Sequence, residues 1–128
     1  MQFLDETLNC SSPAEGLAHF LTNALEKNRQ RAFIGGCIFG NTALEASDSS
    51  PAYAEFVAGV FDAWIGKVAY QVEQAQQQGQ LRNDLPSREL AEMVVATVEG
   101  GIMQARLLKS EAPLRHTLDT LRKVLGLH

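Results

Sequence analysis

The sequence predicts an all-α fold, an orthogonal or antiparallel bundle of about five helices. Three observations carry this. Apolar residues recur at three- and four-residue spacing in four long segments. Each of the four prolines falls where one of those segments begins, as suits a residue whose missing N–H has no partner in a first helical turn. Long period-2 alternation and Asn-Gly or Asp-Gly hairpin signals are absent.

The elements follow in order. Residues 1–8 read as the tail of a helix. Ser12-Pro13-Ala14-Glu15 is a capping box that opens a helix over 13–31. Leu17, Ala18, Leu21, Ala24 and Leu25 form its apolar stripe, with Glu15, Thr22 and Glu26 opposite. Gly35-Gly36 separates it from a shorter, weaker helical segment over 36–47, interrupted by Gly40. Pro51 opens the longest segment, 51–78, roughly 40 Å of helix at 1.5 Å per residue. Its stripe is Tyr53, Val57, Val60, Phe61, Trp64, Val68, Val72 and Ala75, and Gly79 suits the left-handed position after its end. Pro86 opens 86–109. Pro113 opens 113–126, where Leu114, Leu118, Leu121 and Leu125 form a narrow stripe with Thr117 and Val124 beside it.

Segment 86–109 differs from the rest. Arg88, Glu92, Glu99 and Arg106 share one narrow strip, and nearly everything else from Met93 to Leu108 is apolar or small. A helix so widely apolar is buried on more than one side. Its own chain can cover it, or a second subunit can; the leucine stripe of the adjacent last helix favours the subunit. Gly100-Gly101 either lets another helix approach closely or is a local weak spot, since each glycine costs about 1 kcal/mol against alanine in a helix. A symmetric dimer through 86–109 and 113–126 is expected, with Val94, Thr97, Gly101, Gln104, Leu108, Leu114, Leu118 and Leu121 at its interface.

Composition bounds the function. The 128 residues make one domain, 45% hydrophobic and 20% charged, which is ordinary globular composition. A net charge of −4 and a pI near 5.3 disfavour a free-standing nucleic-acid binder, which needs a basic footprint. No apolar run approaches the length of a membrane span, and the acidic start MQFLDETLNC has no signal-peptide pattern. Cys10 and Cys37 make no disulfide framework, and Asn9-Cys10-Ser11 matches a glycosylation triplet that means nothing without secretion. The expected setting is reduced and cytoplasmic, with no membrane partner.

Enzyme chemistry is not expected. His19 and His116 fall on polar faces and His128 is the last residue; no His, Cys or carboxylate set has metal spacing, so neither a metal nor another cofactor is implied. Cys37, after two glycines, reads as a buried inert thiol rather than an activated one. Glu99 either points into a cavity or is solvated or ion-paired with its strip neighbours. Phe20, Phe33, Phe39, Phe56, Phe61, Trp64, Met93 and Met103 are many large apolar side chains for a small helical domain. They fill the core or line a cavity. A buried Trp64 indole N–H needs a partner, which Asn41, Thr97 or Gln104 could supply.

Gly36-Cys37-Ile38-Phe39-Gly40-Asn41-Thr42-Ala43-Leu44-Glu45 resembles the G-C-x-x-G-N-x-A-x-E segment of one branch of the TetR/AcrR-type transcriptional regulators. Phe61-Asp62-Ala63-Trp64, the stretch QQGQL at 77–81, Asp84, and Glu99-Gly100-Gly101-Ile102-Met103-Gln104-Ala105-Arg106 follow in that family's order. The resemblance covers about residues 12–126. It implies a single effector-binding and dimerisation domain over 1–128, whose last two long helices pair with a partner's into an intersubunit four-helix bundle. It places Phe33, Cys37, Asn41, Phe61, Trp64 and Met103 near the cavity for a small apolar or amphipathic effector. Effector binding is implied to release operator DNA, as in a repressor, by shifting a two-state population. Residues 1–8 match only the tail of the family's connecting helix. The basic N-terminal helix-turn-helix domain is therefore expected to be missing, and with it any operator binding by this chain alone. The competing expectation is a structural helical dimer or interaction module with no small-molecule ligand.

Overall fold

The computed structural model describes residues 12–32 and 35–127. Among them the fold is all-helical: α1 (Pro13–Gln30), α2 (Ile38–Ala46), α3 (Pro51–Gln77), α4 (Ser87–Leu108) and α5 (Ala112–Leu125). The helix tail expected over 1–8, and Cys10, lie outside the described residues. No helix is long and apolar enough to cross a membrane, and no group of three or more metal-binding side chains gathers, among the described residues.

Local chemistry sets the helix ends. The Glu15 N–H donates to Ser12 Oγ at 3.1 Å, and the Tyr53 N–H donates to Ser50 Oγ at 3.4 Å. Each satisfies one of the donors that a first turn leaves unpaired. Pro13, Pro51 and Pro113 sit in first turns. Pro86 does not: it is the residue before α4, with extended backbone at φ −60° and ψ 141°. Gly126 closes α5 at φ +67°, in the left-handed region where a Cβ is penalised. There the Arg82 N–H donates to the Leu125 carbonyl at 2.8 Å, tying the α3–α4 loop to the end of α5.

The core gathers where α1, α3, α4 and α5 meet. Leu17, Leu21 and Ala24 of α1 close on Val68, Val72 and Ala75 of α3, on Leu90, Val94 and Val98 of α4, and on Leu114, Leu118, Leu121 and Leu125 of α5. All are buried. α2 lies outside this core and packs mainly on α3. Tyr53, at the head of the α3 stripe, lies beyond the core and is exposed.

Placing α4 at 100° per residue divides its surface into three arcs. One, roughly 140° wide, carries the buried Leu90, Ala91, Val94, Val95, Val98, Gly101, Ile102 and Ala105. The next is the narrow strip of Arg88, Glu92, Glu99 and Arg106. The third, again roughly 140° wide, carries Met93, Ala96, Thr97, Gly100, Met103, Gln104, Leu107 and Leu108. Its side chains are exposed or half-buried although mostly apolar; Leu107 is 77% exposed and Leu108 is 63% exposed.

The residues expected at a dimer interface therefore divide. Thr97, Gln104 and Leu108 lie on the uncovered arc. Val94, Gly101, Leu114, Leu118 and Leu121 face inward and are buried within this chain. Gly101 shows why. A Cβ built there would lie 2.9 Å from Leu114 Cδ1 and 3.5 Å from Thr117 Cβ, so the glycine is what lets α5 close on α4. The α5 residues left beside the uncovered arc are Thr117, Thr120 and Val124.

Candidate functional site

The C-terminal half of α1, the turn after it, α2, the middle of α3 and α4 enclose a cavity of about 840 Å³. Phe20, Phe39, Trp64, Val68, Val95, Val98 and Ile102 give it an apolar wall. A second cavity of about 480 Å³, lined by Phe61, Ile65, Met103 and Arg106 among others, lies on the other side of the first turn of α2. Gly36, Cys37, Asn41, Val95, Glu99 and Ile102 border both, so this turn and Glu99 form a partition between two chambers.

Backbone conformation builds the partition. After α1, Ala32 takes a left-handed φ of +53°, and Gly35 and Gly36 follow at +87° and +60°. The two glycines adopt these conformations without strain. Asn41 locks the turn by donating from Nδ2 to the Gly35 carbonyl at 2.6 Å. Gly40 then meets α4 closely, since a Cβ on it would lie 2.6 Å from Glu99 Oε2.

Glu99 is thereby enclosed. The Cys37 thiol lies beside its carboxylate. Burial raises the Glu99 pKa above the usual carboxylate value, and the neighbouring Cys37 thiol opposes the rise only in part. Burial also pushes the Cys37 thiol up to about 11, with the Glu99 charge adding to the rise. At neutral pH the thiol is protonated and a poor nucleophile, as the sequence reading of an inert cysteine expects. Glu99 is half-buried, borders both chambers and makes no ion pair with Arg106 among the described residues. Lower on the strip, Arg88 pairs with Asp62 at 2.7 Å.

Trp64 stands at the centre of an aromatic group. Its ring meets Phe39 edge-on at 5.5 Å and Phe61 edge-on at 5.2 Å, and Phe39 lies 6.4 Å from Phe56. Such tilted contacts suit the ring quadrupoles. The indole Nε1 is buried and has no hydrogen-bond partner. None of the three candidates from the sequence reaches it: Asn41 is committed to the Gly35 carbonyl, and Thr97 and Gln104 lie on the uncovered arc of α4. A buried unpaired donor forfeits about 1–3 kcal/mol.

The mouth of the larger chamber is cationic. Arg31 and Lys27 line it. The Arg31 guanidinium donates to three neutral oxygens: the Lys27 carbonyl at 3.4 Å, the Gly36 carbonyl at 3.3 Å and Asn28 Oδ1 at 3.3 Å. Among the described residues it has no carboxylate partner. Asn28 is buried at 4% exposure and is itself fixed by donating from Nδ2 to the Ala24 carbonyl at 2.7 Å.

Of the expected ligand residues, Cys37 and Asn41 lie in the partition, Trp64 lines the larger chamber, and Phe61 and Met103 line the smaller; Phe33 lies outside the described residues. The sequence reading did not single out Asn28 or Arg31. Asn28 continues the Leu17, Leu21, Ala24 spacing, so a polar residue at the end of an apolar stripe was its available signal.

The family described as "Tetracyclin repressor-like, C-terminal domain" matches residues 13–121. The chain is 30% identical over 112 residues to the "Transcriptional regulator AcuR" of Cereibacter sphaeroides, spanning 88% of this chain and 50% of that protein. It is 26% identical over 90 residues to the "HTH-type transcriptional repressor DhaR" of a Mycobacterium species, spanning 70% of this chain and 46% of that protein. The chain thus covers about half the length of these curated relatives, which are named as regulators and not as enzymes. In three dimensions it superposes on a crystal structure of "regulatory protein TetR" from Rhodobacter sphaeroides with a TM-score of 0.90 and 26% identity, covering 99% of this chain and 67% of that one.

Proposed function

Because this chain belongs to the tetracyclin-repressor-like C-terminal domain family, we propose that it is the ligand-sensing and homodimerisation module of a transcriptional repressor. The observation that carries the sensing role is the larger chamber. Its volume falls within the roughly 300–1,000 Å³ of small-molecule sites, and its wall is apolar. The effector is a small apolar or amphipathic molecule.

Dimerisation is assigned to the uncovered arc of α4, with Met93, Thr97, Gly100, Gln104, Leu107 and Leu108, and to Thr117, Thr120 and Val124 of α5. An isologous pairing of two such faces yields a four-helix bundle of α4 and α5 from each protomer. Gly100 supports close approach, since a Cβ on it would meet nothing within 4 Å among the described residues. Operator DNA is read by an N-terminal helix-turn-helix domain that is not among these 128 residues.

Signalling follows from the cavity's construction. Its walls come from four helices and the α1–α2 turn, so an occupant that favours one arrangement of α1 against α3 and α4 shifts the population toward it. The test is a thermal-shift and Trp64 fluorescence screen against hydrophobic, aromatic, cationic and anionic compounds, with sedimentation alongside. A ligand at 100 times its Kd stabilises the fold by about 2.7 kcal/mol. A broad panel that moves neither signal overturns the sensing role, and a monomeric mass at micromolar concentration overturns the dimer.

A further inference from the structure

We infer that the occupant of the larger chamber is an amphipathic anion, which presents its apolar body to the chamber wall and its negative group to Arg31. This rests on the sensor reading and narrows it to a ligand class.

Two observations converge. First, Arg31 lies at the mouth, and all three of its hydrogen bonds, at 3.3–3.4 Å, are long and go to neutral oxygens. A guanidinium forms its strong, two-pronged bonds with carboxylates and phosphates. Arg29, two residues earlier, has found such a partner in Glu111, and Arg82 has found Asp84. Among the described residues Arg31 has none, so its fork remains available at the opening. Second, the chamber wall behind it is made of Phe20, Phe39, Val68, Val98 and Ile102, which accept hydrocarbon.

The carboxyl group inside does not argue for a cation instead. Glu99 lies in the partition shared with the second chamber, and burial raises its pKa, which weakens both its pull on an incoming cation and its push on an incoming anion.

Three probes with an eight-carbon chain differ in the charge of the head group: octanoate is negative, octanamide is neutral and polar, and octyltrimethylammonium is positive. Each is titrated into the chain while the single tryptophan's fluorescence is followed. Octanoate is expected to bind tightest and octyltrimethylammonium weakest. Arg31→Gln should weaken octanoate by about three- to tenfold, to the level of octanamide, whose own affinity stays unchanged. Added salt should weaken octanoate alone. The inference is overturned if the cation binds as well as octanoate, if Arg31→Gln leaves the octanoate preference intact, or if none of the three binds. In each case the sensor reading is judged separately, by whether compounds of another class stabilise the fold.

Discussion

Replacing Gly101 by alanine should destabilise the fold, although alanine is the better helix former. An alanine Cβ at this position would lie 2.9 Å from Leu114 Cδ1 and 3.4 Å from the Leu114 backbone Cα. Carbon atoms in contact prefer about 3.5–4.0 Å, so Cδ1 must retreat by roughly 0.6–1.1 Å. Leu114 has no room to do so, being 0% exposed and enclosed by the core; interiors packed like organic crystals transmit such strain. Overpacking of this kind costs about 1–3 kcal/mol. Removing a mid-helix glycine returns about 0.8–1.0 kcal/mol. The net result is a loss of up to about 2 kcal/mol. Gly66→Ala is the control: Gly66 lies inside α3, and its Cβ would meet nothing within 4 Å. It should gain close to the full propensity term, about 1 kcal/mol. The two variants should therefore differ by about 1–3 kcal/mol in urea unfolding followed by circular dichroism at matched protein concentration. If Gly101→Ala proves as stable as Gly66→Ala, α4 and α5 do not approach as closely as described.

Glu99 should make stability depend on pH. Its folded pKa is raised, so the native state holds the proton more tightly than the unfolded chain does; the associated stability is complete below the ordinary carboxyl value and declines as pH rises through the interval above it. Glu99→Gln should flatten that decline, and a variant with the wild-type slope would refute the assignment. Trp64→Phe removes the unpaired donor, so the unliganded fold should lose little stability for the lost area, whereas an indole bonded within the protein would lose a further ~1 kcal/mol. Leu107→Glu, on the uncovered arc of α4, should abolish the dimer in sedimentation while leaving the monomer's helical content intact, because Leu107 is 77% exposed in the chain. Cys37 should react slowly with a thiol reagent at neutral pH, since the thiolate is a small minority below about 11.

The helices were legible in the sequence because their causes are local. Prolines, serine caps and apolar spacing act within one or two turns, so α1, α3, α4 and α5 fall within a residue or so of the segments the pattern marks. Burial was legible too, but its partner was not. The leucine stripe of α5 says that Leu114, Leu118 and Leu121 leave water; it does not say whether α4 of the same chain or a second subunit receives them. Periodicity gives an angle around a helix, and tertiary packing decides what occupies that angle. The same gap explains Glu99. At 100° per residue it shares a strip with Arg88, Glu92 and Arg106, which reads equally well as a solvated face. What encloses it is the first turn of α2, brought to α4 because Gly40 has no Cβ to strike Glu99 Oε2. Gly40, which weakened the helical reading of 36–47, is therefore the residue that closes the partition. A glycine inside a helical pattern carries two opposite meanings, a weak spot or a close approach, and only the neighbour across the contact separates them. At Gly40 and Gly101 that neighbour is within 3 Å of the absent Cβ, and at Gly100 the described residues supply none. The difference is why Gly40 and Gly101 belong to the interior of one protomer and Gly100 is assigned to the face awaiting another.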